Sequence, residues 1–193
     1  MLRCLTLLVI ATILLAGPST MAKGSSRLLF DFSDPNAVGQ WQIVNDGVMG
    51  GRSTSQVAMA DDGQMRFAGN LSVENNGGFA SVRSRPRELQ LQTGDQIFLR
   101  VKGDGRRYTF NLYVPQRRMA FSYRVEFQTR ADEWLEVKLP LDRFVATSFG
   151  RVVRGNSLDP KQVHAVGILL ADKKAGPFQI LVDWIKVESV IGN

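Results

Sequence analysis

Between Trp41 and Arg83 the chain is punctuated too densely to be helical. Glycines stand at 47, 50, 51, 63, 69, 77 and 78, separated by short runs of β-branched, aromatic and small residues. Glycine enters positive φ without strain, so this spacing predicts repeated sharp turns between short strands. Gly50 and Gly51 are both expected at positive φ. Asn45, Asp46, Glu74, Asn75 and Asn76 flank the turns, where loops carry recognition chemistry. The run from Asn45 to Gly51 therefore predicts a folded surface loop in which Asn45 and Asp46 bond local backbone.

The rest of the chain alternates with the period of strands. Leu28–Phe32 forms a short apolar run, stopped by Ser33-Asp34-Pro35-Asn36. Ile97, Leu99 and Val101 face one way, while Phe98, Arg100 and Lys102 face the other. Tyr108, Phe110, Leu112 and Val114 make the next apolar row, opposed by Thr109, Asn111 and Tyr113. Asp104-Gly105 between these two runs predicts a hairpin. Met119, Phe121, Tyr123, Val125 and Phe127 repeat the pattern against Ser122, Arg124 and Glu126. Leu135, Val137 and Leu139 follow, ending at Pro140. Leu141–Arg154 lacks a period and reads as a long connection carrying Phe144 and Phe149. Asp159–Gln162 reads as a turn or one helical turn, and two last strands cover 163–170 and 178–187. Many short strands divided by Gly, Pro and Asp predict an all-β, two-sheet antiparallel sandwich.

The N-terminus is different in kind. Arg3 precedes an apolar run from Leu5 to Ala16, followed by Gly17-Pro18-Ser19-Thr20-Met21-Ala22. This is the pattern of a secretory signal, and the run is short of the roughly 20 residues a membrane span needs. Residues 1–22 thus predict a signal peptide and an exported (periplasmic or secreted) chain of 23–193; the alternative is membrane anchoring by an uncleaved segment. No transmembrane span is expected in the mature chain. The one cysteine, Cys4, lies in that signal, so neither disulfides nor thiolate metal ligands are expected beyond it. The formal charge of +6 is spread along the chain, without the clustering and stacking aromatics of a nucleic-acid protein.

Several runs together identify the chain as resembling the complex I intermediate-associated protein family. They are V-N-D-G-V-M-G-G-R-S at 44–53, F-A-G at 67–69 and E-N-N-G-G-F-A-S at 74–81. To these are added V-K-G-D-G-R-R-Y at 101–108, L-P-L-D-R-F at 139–144, G-I-L-L at 167–170 and G-P-F-Q-I-L-V-D-W-I at 176–185. The resemblance covers about 29–187. It implies a jelly roll of the galactose-binding type, akin in shape to carbohydrate-binding modules. It also implies an assembly-factor role, a chaperone-like contact with subunits of a membrane respiratory complex.

Catalytic groups are sparse. His164 is the only histidine, no G-x-S-x-G elbow accompanies it, and it reads as a strand residue with a backbone partner. G-V-M-G-G-R-S lacks the G-K-[ST] ending of a phosphate loop. Asp31 and Asp183 would neighbour each other in the first and last strands, as a calcium site would need, but no contiguous ligand loop is present. No enzyme activity, cofactor or metal is expected.

Two surfaces are candidate binding sites. One is the loop set with Asn45, Asp46, Arg52, Glu74, Asn75, Asn76 and Arg83, where Arg52 and Arg83 could meet an anion. The other is a sheet face made from the outward rows of 98–102, 109–113 and 122–126, carrying Arg100, Tyr113 and Arg124. The loops are favoured slightly, because the family resemblance is densest there. Either suits a protein partner enriched in contacts from Tyr and Arg; the alternative occupant is a carbohydrate or other ligand of an exported module.

Overall fold

Strand follows strand through residues 25–115 and 121–189, which the computed structural model describes. In chain order the strands are β1 Ser26–Asp31, β2 Trp41–Ile43, β3 Thr54–Met59, β4 Met65–Leu71, β5 Ala80–Ser84, β6 Gln96–Lys102 and β7 Arg107–Tyr113. Then come β8 Ser122–Gln128, β9 Trp134–Pro140, β10 Val145–Ser148, β11 Arg151–Val152, β12 Ala165–Leu170 and β13 Gly176–Glu188. They form two antiparallel sheets. One has the order β3-β4-β13-β6-β9, with β1 also on β13; the other has seven strands in the order β11-β10-β8-β7-β12-β5-β2. This is the expected jelly-roll sandwich. The proposed signal at 1–22 lies outside the described residues.

The core comes from the inner rows of both sheets, as alternation dictates. Ile97, Leu99 and Val101 of β6 are buried, as are Tyr108, Phe110 and Leu112 of β7. Phe67 meets Phe178 edge-on, with ring centroids 5.1 Å apart. Each fully buried Leu or Phe contributes about 1.5–3 kcal/mol over an exposed one. The short strand β12 is buried along its whole length.

Two expectations from the sequence are overturned. The run from β6 to β7 is not a hairpin, because β6 pairs with β9 and β13 whereas β7 pairs with β8 and β12. Gly103–Arg106 instead carries the chain from one sheet to the other. The turn's polar groups bond outward rather than closing a ladder. Asp104 accepts from the Tyr108 hydroxyl at 3.0 Å and the Gln179 N–H at 2.9 Å. Arg106 donates to both oxygens of Asp172, at 3.0 and 2.6 Å. A side chain at Gly103 would run into Thr129, 2.5 Å from its Cβ position. Asp-Gly marks the sharp turn without specifying the partner strand.

The second correction is at Leu141–Arg154, which is no open connection. It holds the β10–β11 hairpin, paired as Thr147 with Val152 and Ser148 with Arg151. Its turn has Phe149 at φ 45° and Gly150 at φ 77°, the positive pair of a type I′ turn. Asp159–Gln162 forms the expected helical turn, with the Asp159 side chain accepting from the Lys161 N–H.

Candidate functional site

The glycine-rich loops close around one carboxylate. Asp46 is fully buried and accepts from the Ser53 N–H at 2.9 Å, the Ser53 hydroxyl at 2.6 Å, the Gly78 N–H at 2.7 Å and the Phe79 N–H at 3.2 Å. Burial alone would raise its pKa. The Ser53 hydroxyl and the backbone N–H groups of Gly78, Ser53 and Phe79 outweigh that and hold it below the ordinary carboxylate value. A Cβ on Gly51 would stand 2.3 Å from the Asp46 carboxyl carbon, and one on Gly77 would stand 2.5 Å from its Oδ2. Gly50 has the expected positive φ of 86°, but Gly51 does not; its lack of a side chain serves close approach instead.

This geometry corrects the loop reading. Asp46 faces inward, and Asn45 is half-buried, taking the Ser55 hydroxyl at 2.8 Å. Arg52 and Glu74 pair with each other at 2.9 Å on the surface. Asn75 is exposed, with φ 54°, in a 3-10 turn that also contains Asn76. The signature loop is therefore a structural knot joining 44–53 to 72–79, with most of its polar groups satisfied internally.

The predicted sheet face also divides. Arg100 belongs to β6, in the other sheet from Tyr113 and Arg124. There it pairs with Asp183 at 3.2 Å and lies 5.4 Å over the Trp134 ring. Lys186 stands near Phe98 and Trp184 on that same sheet, at 5.0 and 4.7 Å, and pairs with Glu188. These cations are already matched by rings and carboxylates.

What the fold does bring together is Arg83, Tyr113 and Arg124, on the outer face of the seven-stranded sheet. The register places Arg83 opposite Gly167, Gly167 opposite Asn111 and Asn111 opposite Arg124, across β5, β12, β7 and β8. Strands about 4.8 Å apart put these four residues in one row. Gly167 makes the row possible. A Cβ there would lie 3.1 Å from the Tyr113 ring and 2.8 Å from the Val82 carbonyl oxygen. The Tyr113 ring occupies that gap, and the Arg83 guanidinium lies 3.7 Å from its centroid. On the other side, Arg124 Nε donates to the Ser122 hydroxyl at 2.9 Å, and that hydroxyl donates to Asn111 Oδ1 at 3.1 Å.

Charge is unbalanced at this place. Neither Arg83 nor Arg124 has a carboxylate within salt-bridge distance among the described residues, and Arg83 Nε is buried without a hydrogen-bond partner. Burial lowers the Arg124 pKa, Tyr113 opposes this, and the nearby Arg83 charge lowers it further. Glu126, the nearest acidic residue along β8, pairs with Arg107 instead. Sequence reasoning put Arg83 with the loops and Arg124 with the sheet. A lone glycine inside the apolar strand V-G-I-L-L was the signal of close approach that links them.

At the end of the same face Val145 and Val152 are exposed, and Phe149 at the hairpin tip is 78% exposed. His164 lies just before β12 rather than in it; its backbone N–H donates to Tyr113, while its ring Nδ1 is buried without a partner. Asp31 and Asp183 do come close, lining one surface depression with Asp61 and Asp62. Asp31, however, takes the Ser33 N–H and hydroxyl, and Asp183 takes Arg100. Among the described residues no group of three or more His, Cys, Asp and Glu is arranged to hold a metal, and no helix is long and apolar enough to cross a membrane.

The model of the Complex I intermediate-associated protein 30 family matches residues 30–182. The mouse protein named Complex I intermediate-associated protein 30, mitochondrial, is 28% identical over 84% of this chain and 56% of its own length. Its namesake in Drosophila melanogaster is 25% identical, over 86% of this chain and 64% of its own length. The chain thus spans between about half and two-thirds of these relatives. Among solved structures, the family 11 carbohydrate-binding module of Clostridium thermocellum superposes with a TM-score of 0.68 at 15% identity, over 89% of this chain and 99% of that one. An exo-β-agarase superposes at 0.56 and 10% identity, over 88% of this chain and 26% of that one. At such identities the likeness is one of fold. The relatives' names are mitochondrial, which overturns the expected export of the chain to the periplasm or outside.

Proposed function

Because this chain belongs to the Complex I intermediate-associated protein 30 family, we propose that it is a non-catalytic assembly factor of mitochondria. It holds subunits of the membrane respiratory complex by protein contact while they are incompletely assembled. The observation that carries this reading is the family match itself, which runs from β1 into β13 and so takes in both sheets. Residues 23–193 act as a single domain in this reading.

The contact surface is the outer face of the seven-stranded sheet rather than the signature loops. The loops spend Asp46 and Asn45 on internal bonds, and Arg52 and Glu74 on each other. The sheet face offers Tyr113 and two unmatched arginines, the residue types that dominate interface energetics, with exposed apolar side chains at one end. The relatives' names describe association with an intermediate of complex I, which supports a role in assembly.

The test is capture from mitochondria by the tagged full chain, followed by identification of bound proteins. Co-purification of complex I subunits, together with loss of assembled complex on depletion, is the expected result. A folded protein that captures none of them, and whose depletion leaves the complex intact, ends the proposal.

A further inference from the structure

Two like charges stand on one sheet face with no carboxylate between them. Arg83 is fixed by stacking on Tyr113, and Arg124 by its bond to Ser122; neither guanidinium is spent on an acidic side chain among the described residues. Between them lie Gly167 and Asn111, both buried, and the half-buried Tyr113, and the row contains no acidic residue. Arg100, Arg106 and Arg107 each have a carboxylate within 3.5 Å, at Asp183, Asp172 and Glu126, whereas Arg83 and Arg124, like Arg27 and Arg87, have none among the described residues. What sets the first pair apart is its place in one row across the sheet, beside Tyr113.

We propose that this face binds an acidic, extended segment of a partner protein, with one carboxylate seated between Arg83 and Arg124. Guanidinium groups offer planar, forked donors that match a carboxylate. Arg83 and Arg124 are each only partly buried, and neither makes an ion pair among the described residues. Tyr113 and Gly167 hold Arg83 in position beforehand, so little of its side-chain freedom remains to be lost on binding. Exposed Val145 and Val152 on the adjoining strands continue the face for the apolar residues of the same segment. This inference rests on the protein-contact reading above and specifies its partner surface.

The test uses the full chain and labelled peptides of eight residues: one alternating Glu and Val, one alternating Gln and Val, and an oligouronate of comparable charge. The Glu peptide should bind at least about tenfold more tightly than the Gln peptide, and Arg83→Gln with Arg124→Gln should abolish the difference. Arg100→Gln should leave it unchanged. Should the double variant fold poorly, Arg83→Lys with Arg124→Lys keeps the charge, removes the fork and should still reduce the preference. Equal binding of the Glu and Gln peptides overturns the proposal, as does a preference that survives both double variants. Tighter binding of the oligouronate, lost in the same variants, overturns the choice of a polypeptide. Capture of complex I subunits by the Arg83→Gln, Arg124→Gln protein at wild-type level refutes this occupant while leaving the assembly role standing. Failure of capture by the wild-type chain refutes the assembly role whichever way the peptides behave.

Discussion

The Asp46 carboxylate accepts the backbone N–H of Gly78 at 2.7 Å, across 32 residues of chain. With the two bonds from Ser53 and one from Phe79, it ties the end of β2, the start of β3 and the entry to β5 to a single buried charge. A carboxylate pays a large desolvation cost in that position, and four donors offset it. The side chain is therefore a positioning group for three chain segments.

Asp46→Ala should cost about 3 kcal/mol, since it leaves buried N–H groups unpaired, and about 6–12 °C of melting temperature in a chain of this size. The pH dependence has a definite sign. A carboxyl whose folded pKa lies below its unfolded value stabilises the fold above the unfolded value, and that contribution is lost as pH falls through the folded one. Melting temperature should therefore drop on acidification below about pH 4, and Asp46→Asn should make that drop shallower. Thermal melts from pH 2.5 to 7 measure both; parallel curves for wild type and Asp46→Asn would show that Asp46 is not the group responsible.

Gly51→Ala and Gly77→Ala each drive a methyl group into that carboxylate, at 2.3 Å from its carbon and 2.5 Å from its oxygen. A loss of about 1–3 kcal/mol is expected for each. Gly47 has open space around its Cβ position and no positive φ, so Gly47→Ala should stay within about 0.5 kcal/mol. Denaturant titration ranks the three. Equal effects at 47 and 51 would mean that glycine entropy, rather than contact with Asp46, explains the signature.

The crossing between the sheets depends on Arg106 and Asp172, whose side chains are only 12% and 9% exposed. Removing either leaves the other charge buried, so Arg106→Ala and Asp172→Ala should each cost about 3–5 kcal/mol. The double variant should lose less than the sum, because the second deletion removes a charge already stranded. A double-mutant cycle by chemical denaturation checks this, and strict additivity would show that the two side chains act independently.

Alternation made the core rows of β6 and β7 legible, because a half-buried strand must place every second residue inside. It could not say that these rows belong to different sheets, since pairing is decided by segments far apart in sequence, such as Asp104 with Gln179 and Arg106 with Asp172. The density of Gly and Asn at 45–51 and 74–78 was legible as a folded loop. Whether Asp46 pointed to solvent or inward was not, because an aspartate beside a turn serves both ends equally well. Arg83, Tyr113 and Arg124 were each picked out, but their convergence depends on the register of β5, β12, β7 and β8. The β10–β11 hairpin was hidden by its own turn, where Phe149 occupies a position that usually takes Asn, Asp or Gly.

That turn carries the last prediction. Phe149 holds φ 45° and is 78% exposed, so an aromatic side chain accepts left-handed backbone without the burial that would compensate it. Asn favours this conformation, and Asn-Gly is a preferred type I′ pair, so Phe149→Asn should stabilise the fold by about 0.5–1 kcal/mol. An exposed aromatic kept at a cost in stability fits a contact residue, continuous with Val145 and Val152 at the end of the arginine face. The same substitution should therefore raise the melting temperature by about 1–4 °C while reducing capture of the partner. Melting and capture measured on one preparation separate the possibilities. A more stable protein with undiminished capture would remove Phe149 from the contact surface, and a less stable one would show that its ring supports the hairpin.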